Sequence, residues 1–445
     1  MFHTISGRKE NNRDTFRNRR IFYTGLSLLG SRGVNMLVLI ATLPLCLNYL
    51  GAERFGMMET IIALIMIMSF ADFGLGFGLQ NRMAQLMASE NALEIKRAIS
   101  SVFYVLLAVV VVFVLIFTIV YPYIPWHRVF NVSSEIAKAE AAPAVLIFFI
   151  CFAVQIPFSI VRKVQIGVQE GYFSELWTAA GNIAGLLFII LSIRLDGGVP
   201  AIIASIYGAK SIALLGSYVF EFYIKRPEFR PSWRYFSLGN YKRIYLDGVV
   251  FLGLQISNIV LTSSDRILIT HLISPESVAI YSIGMRLVMI FATPLEAFIY
   301  PMLPAFNDAM ARNESEWLKS TIKKARKYTL VFSLISVVTI ILFGNVILFY
   351  WIGPKYTLSF WLLVMFAVFV VYSNINFLIS NIMLTTQMIK SALLVYVVGV
   401  LASVAMKFVL IPSALVSGAL IGSITGMSIF YLMPAYAKIR RKQLL

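Results

Sequence analysis

Long apolar blocks restrict most strongly what this chain can fold into. The stretches Ser101–Ile124 and Ser413–Tyr436 contain no charged residue, and each reaches the length of about 20 residues with which an α-helix crosses a hydrocarbon core of about 30 Å. Over the whole chain 59% of residues are hydrophobic and 13% are charged, whereas soluble proteins are about half apolar and about a quarter charged. The sequence therefore excludes a water-soluble protein.

The same blocks predict helices and not the strands of a membrane barrel. Barrel strands alternate apolar and polar residues, and the run Val145–Ala153 does not alternate. We therefore predict an all-α integral membrane protein with about 12 transmembrane helices. The predicted spans are Thr24–Leu50, Met57–Leu79, Ser101–Ile124, Pro143–Val161, Trp177–Ile193, Pro200–Tyr223, Tyr245–Ser263, Val278–Tyr300, Thr329–Ile352, Leu358–Leu384, Ser391–Leu410 and Ser413–Tyr436.

Lysine and arginine are concentrated on one side of this predicted topology. The side that holds both termini carries 28 of these residues in its loops and tails, and the opposite side carries 6. Because cytoplasmic loops are enriched in Lys and Arg, both termini are expected in the cytoplasm. The net charge of +17 then reflects topology and attraction to anionic membrane lipid, and nucleic acid is not an expected partner.

A basic polar stretch near the middle of the chain, Lys225–Arg243, predicts a division into two halves. A weak internal similarity supports the division, since Arg32-x-x-Asn35 has a counterpart in Gln255-x-x-Asn258. Internal repeats are common in transporters, where the substrate path lies at the interface of the repeats. The predicted domains are a basic tail (1–20), a six-helix bundle (21–224), a cytoplasmic basic linker (225–244), a second six-helix bundle (245–437) and a basic tail (438–445).

Four segments resemble a known family. They are Asn48–Gly56 (NYLGAERFG), Phe70–Leu79 (FADFGLGFGL), Asp265–Ile269 (DRILI) and Val278–Ile283 (VAIYSI). They are similar to segments of Wzx-type polysaccharide flippases, which belong to the multidrug/oligosaccharidyl-lipid/polysaccharide (MOP) exporter superfamily. Length, number of spans and division into halves extend the resemblance over nearly the whole chain.

The resemblance implies a V-shaped pair of six-helix bundles in the bacterial inner membrane. Such a protein moves undecaprenyl-pyrophosphate-linked oligosaccharide, the repeat unit of O-antigen, capsule or exopolysaccharide, to the outer leaflet by alternating access. The implied partners are this lipid-linked oligosaccharide, membrane lipid, and a polysaccharide polymerase or glycosyltransferases. Other members of the superfamily carry drugs, so a drug or cation antiporter is the alternative.

A polytopic polysaccharide polymerase is the competing enzyme class. The longest predicted external loop, Tyr123–Ala142, offers His127, Glu135 and Glu140 without a catalytic spacing. The sequence contains neither the phosphate-binding pattern G-x-x-x-x-G-K-[ST] nor a His/Cys/Asp cluster with metal-ligand spacing. We therefore expect no enzyme activity, no cofactor and no metal site.

Charged residues inside spans are the first candidates for a substrate site, because such residues generally face a cavity or the protein interior. Arg32 and Asp72 fall at equal depth in the first two spans, which allows a structural ion pair, contact of Arg32 with substrate phosphate, or ion coupling through Asp72. Lys210 and Arg286 lie deep in their spans and could bind a diphosphate. Arg286 could instead pair with Glu296.

Neutral polar residues in spans are the second group of candidates. Gln255, Asn258 and Asn374 could donate hydrogen bonds to sugar hydroxyls, or they could join neighbouring helices. Lys407 falls close to the outer end of its predicted span, and we interpret it as a cation that extends to the membrane surface.

Overall fold

A computed structural model describes residues 3–67, 74–88, 91–299, 315–385 and 389–441. Within these ranges all regular structure is helical, and the predicted all-α membrane fold is confirmed. The first part of the chain forms α1 (His3–Ile67), α2 (Leu75–Ala88), α3 (Ala92–Val120), α4 (Trp126–Val129), α5 (Glu135–Phe158), α6 (Ile160–Gly167), α7 (Gly171–Arg194), α8 (Gly198–Ile203) and α9 (Ala209–Val219). The second part forms α10 (Leu238–Leu272), α11 (Pro275–Ile299), α12 (Ser315–Trp351), α13 (Phe360–Thr385), α14 (Ile389–Met427) and α15 (Met433–Arg441).

Short stretches of tighter or wider helix connect several of these elements. The 3₁₀ turns are Tyr121–Tyr123, Pro227–Phe229 and Trp233–Tyr235, and the π-helical stretches are Ala204–Gly208, Phe220–Lys225 and Ser428–Leu432. The two π-helical stretches around α9 make the chain from Gly198 to Lys225 one continuous apolar helix.

Nine helical stretches in the described ranges are long and apolar enough to cross a membrane, which makes this a multi-pass membrane protein. Two of the nine contain a residue with non-helical backbone angles, and only the first of these breaks falls in a predicted loop. In α1 the break is Gly51 (φ 75°, ψ 172°), and in α14 it is Leu415 (φ 53°, ψ −136°). The seventh predicted span, Tyr245–Ser263, lies in α10, which is helical as far as Leu272 but is not among the nine.

Contacts divide the chain into two units, each built from separate stretches. Unit 1 contains Met1–Ala41, Ser69–Ile124 and Val145–Leu252, and unit 2 contains Thr42–Met68, Pro125–Ala144 and Gly253–Leu445. The predicted six-helix bundles and the linker 225–244 remain predictions.

The core of unit 1 is an apolar cluster shared by α2, α3, α6 and α9. Residues of α3 such as Ile99, Val102 and Leu106 are fully buried in it. Their spacing of three and four residues puts them on one face of the helix, while Val111 and Leu115 on another face are more than half exposed. In a membrane-spanning helix the exposed apolar face is the one available to lipid.

A buried cluster of polar residues in unit 1 joins the turn after α6 to the π-helical stretch that follows α9. Glu170 follows α6 and forms ion pairs with Lys225 and Arg226, the latter at 2.7 Å. Arg226 also pairs with Glu221, whose side chain is fully buried and accepts a hydrogen bond from Gln165 at 3.2 Å. Two carboxylates thus face two cations, so each buried charge has a partner of opposite sign.

The Glu170 pairs make unit 1 sensitive to acid. Burial raises the pKa of Glu170, but hydrogen bonds from Lys225 and Arg226 outweigh burial and hold the pKa below its usual 4.5. A carboxylate with a lowered pKa in the folded state stabilises the fold above its usual pKa, and this contribution disappears as the pH falls through the folded-state pKa. We therefore expect Glu170→Gln to destabilise the protein by about 2 kcal/mol at pH 7, and by less as the pH falls below 4.5.

Thermal unfolding of the purified protein between pH 3 and pH 7 measures this difference. Glu228→Gln is the matched control, because Glu228 is an exposed carboxylate on the same segment. A gap between wild type and Glu170→Gln that stays constant with pH would show that the Glu170 charge does not contribute to stability.

In unit 2, α14 doubles back on itself through close helix packing. After the break at Leu415, three glycines spaced four residues apart lie on one face, Gly418, Gly422 and Gly426. A Cβ atom at Gly422 would lie 3.0 Å from the backbone nitrogen of Lys407, and one at Gly426 would lie 2.4 Å from Cα of Ser403. Small residues at this spacing let membrane helices approach closely.

Candidate functional site

A cavity of ≈ 570 Å³ lies inside unit 2. Residues of α10, α11, α13, α14 and the π-helical stretch Ser428–Leu432 line it. Its lining mixes apolar groups with neutral hydrogen-bonding groups, the latter including Asn258, Thr262, Ser373, Asn376, Tyr396 and Tyr431. This volume falls within the range of about 300–1,000 Å³ that is usual for small-molecule sites.

Helical spacing in α10 and α13 explains why these side chains meet. On α10 the lining residues Leu254, Asn258, Leu261 and Asp265 recur every three or four positions, and α13 follows the same spacing from Phe369 to Ser380. Residues at this spacing share one face of a helix. Each helix therefore presents a mixed polar and apolar stripe to the cavity.

Hydrogen bonds fix the orientation of several cavity groups. The Tyr396 hydroxyl donates to Oδ1 of Asn258 at 3.3 Å, and the hydroxyls of Ser380 and Tyr431 lie 2.8 Å apart. The rings of Tyr396 and Tyr431 pack edge to face with centroids 5.0 Å apart. The cavity is thus lined by aromatic rings and by positioned hydroxyl and amide groups.

A buried ion pair lies beside the cavity. The ammonium of Lys407 on α14 lies 2.6 Å from Oδ1 of Asp265 on α10, and Lys407 is 0% exposed. The second carboxylate oxygen of Asp265 accepts a hydrogen bond from the hydroxyl of Tyr281 at 2.6 Å. Lys407 also donates to Oγ of Ser264 at 3.2 Å. Asp265, which lines the cavity together with Tyr281, therefore binds both the buried lysine and the tyrosine.

A second group of charges adjoins the first. Glu59, in the part of α1 that follows Gly51, is buried and pairs with Arg266 at 3.2 Å and with Arg286 at 2.8 Å. Arg286 also lies over the ring of Phe55, at 5.9 Å from the centroid. Because Asp265 and Arg266 are consecutive and both line the cavity, the two groups meet at one place on α10.

We call Glu59, Asp265, Arg266, Arg286 and Lys407 the charge cluster. It contains three cations and two carboxylates, so it carries one excess positive charge when all five are ionised. Buried charges are costly unless they are paired, and removing one partner leaves the other uncompensated. The cluster can therefore hold unit 2 together and also place positive charge next to the cavity.

Two of the residues singled out by the sequence lie on the cavity wall, Asn258 and Glu296. Gln255 is half-buried on the same helix as Asn258. Asn374 is buried on α13, where its side-chain amide donates to Oγ of Ser333 at 3.0 Å. For Asn374 the observed contact joins two helices, which is the alternative that the sequence leaves open.

The charged candidates are divided among different parts of the chain. Arg286 belongs to unit 2 and pairs with Glu59. Lys210 lies on α9 in unit 1, where its ammonium is 5.2 Å from the centroid of the Tyr207 ring. Asp72 lies outside the described residues, and only the backbone of Arg32 is described.

The interpretation of Lys407 as a cation that extends to the membrane surface is wrong. Its ammonium is buried and paired with Asp265, because α10 continues to Leu272 and carries Asp265 alongside α14. Sequence reasoning also missed Glu59 and Arg266 as members of a site. The segment DRILI at Asp265–Ile269 is the signal that could have located them, since it supports the family resemblance and contains adjacent opposite charges within an apolar helix.

Comparison with known proteins identifies a family and a relative of this chain. The model of a family described as "Polysaccharide biosynthesis protein" matches residues 22–310. A putative O-antigen export protein of Yersinia pseudotuberculosis is 22% identical to this chain over 166 residues, which is 37% of each protein. The match therefore spans little more than a third of that relative's length.

Solved structures of transporters share the fold. An inward-facing multidrug resistance transporter of the MATE family, within the MOP superfamily, matches with a TM-score of 0.78 at 15% identity, over 92% of this chain and 95% of that one. A MOP superfamily transporter from Pyrococcus furiosus matches with a TM-score of 0.66 at 15% identity, over 96% of each chain. At such identities the likeness shows the fold alone.

The family match covers residues 22–310, which is more than half of the chain. The chain therefore belongs to the polysaccharide biosynthesis protein family, and it shares the fold of solved MOP superfamily transporters.

Proposed function

We propose that the protein moves a lipid-linked oligosaccharide, carried on undecaprenyl pyrophosphate, from the cytoplasmic to the outer leaflet of the bacterial inner membrane. The observation that carries the proposal is the lining of the unit 2 cavity in a member of a polysaccharide biosynthesis family. The excess of Lys and Arg on one predicted side supports cytoplasmic termini. Transport proceeds by alternating access in this account.

The cavity lining matches the chemistry of sugars better than that of purely apolar ligands. Hydroxyl and amide groups at Asn258, Thr262 and Asn376 can exchange hydrogen bonds with sugar hydroxyls. The rings of Tyr396 and Tyr431 offer apolar faces with polar tips. A sugar that leaves water must find such partners, because a buried polar group without a hydrogen bond is costly.

The charge cluster supports the same substrate through its excess positive charge. A diphosphate entering the membrane needs nearby cations to offset the loss of water. Arg266 lines the cavity and has a guanidinium that can donate parallel hydrogen bonds to phosphate. A polymerase or glycosyltransferases that supply or consume the oligosaccharide are the partners this function requires.

Cavity variants test this proposal in reconstituted vesicles. Asn258→Leu and Thr262→Val are expected to lower the rate of oligosaccharide translocation about 2- to 10-fold, since each removes a hydrogen-bonding group worth about 0.5–1.5 kcal/mol. Thr339→Val is the matched control for Thr262→Val, because the Thr339 hydroxyl likewise donates to a carbonyl of its own helix, at Ile335, and Thr339 does not line the cavity. If Thr262→Val, Thr339→Val and Asn258→Leu all translocate oligosaccharide at the same rate, the cavity is not part of the transport path.

Export of cationic drugs is the second candidate function, and one observation favours it. Glu296 lines the cavity, and a carboxylate there could attract a cation. If the protein exports cationic drugs, Glu296→Gln should abolish drug efflux. Oligosaccharide translocation should then be at background level in the wild type, and Asn258→Leu should leave it there. Drug efflux and oligosaccharide translocation measured on the same vesicles separate the two functions.

A further inference from the structure

A second cavity, this one apolar, lies in unit 1. It is a groove of ≈ 380 Å³ whose floor is one face of α3 between Tyr104 and Phe113, and whose wall is formed by Trp233 and Phe236. The lining is almost wholly apolar. Because α3 belongs to a membrane-crossing stretch, Ala92–Tyr123, the groove is accessible to hydrocarbon.

The wall of the groove is fixed on α3 by its two ends. The backbone N–H of Ser232 donates to Oγ of Ser100 at 3.1 Å, and the N–H of Ser237 donates to Oγ of Ser101 at 3.0 Å. Both acceptor serines are fully buried. We call residues 232–237 the aromatic turn. Its backbone is held at both ends, so the groove is a built feature of unit 1.

The side chains of the aromatic turn pack as an aromatic wall. The ring of Trp233 stacks on Phe236 with centroids 5.3 Å apart and meets Tyr104 edge to face at 5.0 Å. Even so, 67% of Trp233 is exposed. An exposed tryptophan is typical of the membrane interface, where its apolar ring and its N–H face different environments.

Cations surround the aromatic turn. Arg234 lies within it and is exposed, and the ammonium of Lys96 lies 4.8 Å from the centroid of the Tyr235 ring. Arg230, just before the turn, stacks over Tyr223 at 4.3 Å. The nearby Glu94 is paired with Arg97 at 3.0 Å. An apolar groove is thus bordered by positive charge at one end.

We propose that this groove binds the acyl chain of an anionic phospholipid, whose phosphate lies beside Arg234 and Lys96. A ligand segment in the groove meets almost only carbon, so it must itself lack hydrogen-bonding groups, which excludes sugars and peptide backbone. The cations at the turn select a negatively charged head group. The bound lipid fastens the aromatic turn to α3 and is independent of the transported substrate.

Quenching of Trp233 by bromine-labelled lipid tests the proposal directly. The full chain is reconstituted in phosphatidylcholine vesicles in which a rising fraction of lipid is replaced by brominated phosphatidylglycerol or, in parallel, brominated phosphatidylcholine. The chain has six tryptophans, so the Trp233 signal is the difference between wild type and Trp233→Phe. Half-maximal quenching is expected at a fraction of brominated phosphatidylglycerol at least about fivefold lower than the corresponding fraction of brominated phosphatidylcholine. The difference follows from an attraction of about 1 kcal/mol between each cation and the anionic head group.

Variants separate the head-group contacts from the groove. The double change Lys96→Gln with Arg234→Gln should bring the two quenching curves together. Ala108→Leu narrows the groove and should lower the maximal quenching, whereas Val111→Leu, on an exposed part of α3 outside the groove, should not change it.

Two results would overturn the proposal. The first is identical curves for the two brominated lipids with the wild-type protein, since that comparison needs no variant to fold. The second is reversal of the quenching by unlabelled polyprenyl phosphate at far lower amounts than by phosphatidylglycerol, which would assign the groove to the carrier lipid. Neither result depends on transport, so failure here leaves the proposed function standing.

Discussion

Replacing Lys407 with methionine is expected to cost about 3–5 kcal/mol of folding free energy, because it leaves a carboxylate buried without its cation. Asp265 lies 2.6 Å from the Lys407 ammonium and is 4% exposed, so water replaces the lost partner only in part. The hydrogen bond from Tyr281 remains but does not neutralise the charge. The fraction of protein that remains monodisperse in detergent after heating measures the effect.

A double change distinguishes the ion pair from simple packing. Asp265→Asn alone should also destabilise the protein, because the Lys407 ammonium then stays buried with a neutral partner. Asp265→Asn combined with Lys407→Met removes both charges and should recover most of the lost stability. Wild-type stability of Lys407→Met would show that the pair contributes nothing to the fold.

Gly56→Ala is expected to destabilise unit 2 by about 3 kcal/mol, because a Cβ atom has no room there. Such an atom would lie 1.7 Å from the carbonyl oxygen of Pro275, at the start of α11. Backbone atoms cannot swing aside as a flexible side chain can, so the two segments must separate. The hydroxyls of Thr60 and Thr270, now 2.6 Å apart, should lose their hydrogen bond.

The same substitution at Gly33 provides the matched control. Gly33 is also helical in α1, but a Cβ there meets nothing within 4 Å. Alanine in an open helical position is favourable by about 0.5–1 kcal/mol, because glycine loses more backbone freedom on folding. Thermal unfolding of the two variants should therefore shift in opposite directions, and equal shifts would contradict the close approach at Gly56.

The apolar blocks were sufficient to predict the fold class, because the bilayer sets both the length and the composition of a spanning helix. Helix ends were less predictable. The seventh span was expected to end at Ser263, since the next residues include Asp265 and Arg266, whereas α10 continues to Leu272. Ion pairs on neighbouring helices make these charges tolerable inside a helix, and such partners are distant in sequence.

The breaks at Gly51 and Leu415 show a second limit of predicting helices from the sequence. In each case the helix continues on both sides of one residue with positive φ. Glycine adopts this conformation readily, so a break at Gly51 agrees with its residue type. Leucine does not favour it, and Leu415 owes its conformation to the packing of Gly418, Gly422 and Gly426 against the preceding part of α14.

The candidate site was predictable only in part, because the partners of its residues are distant in sequence. Asn258 was selected as a polar group within an apolar span and Glu296 as a possible partner of Arg286, and both line the cavity. Glu59 was not selected, because its predicted span gives no indication that two arginines more than 200 positions later lie beside it. Lys407 was misinterpreted because depth in a span does not reveal a buried partner.

The leaflet on which lipid-linked oligosaccharide accumulates in a strain without this protein tests the proposed flippase function most directly. The account predicts accumulation on the cytoplasmic leaflet, with normal distribution restored by the wild-type chain and restored only in part by Asn258→Leu at equal amounts of folded protein. Accumulation on the outer leaflet, or an unchanged distribution between the leaflets, would contradict it.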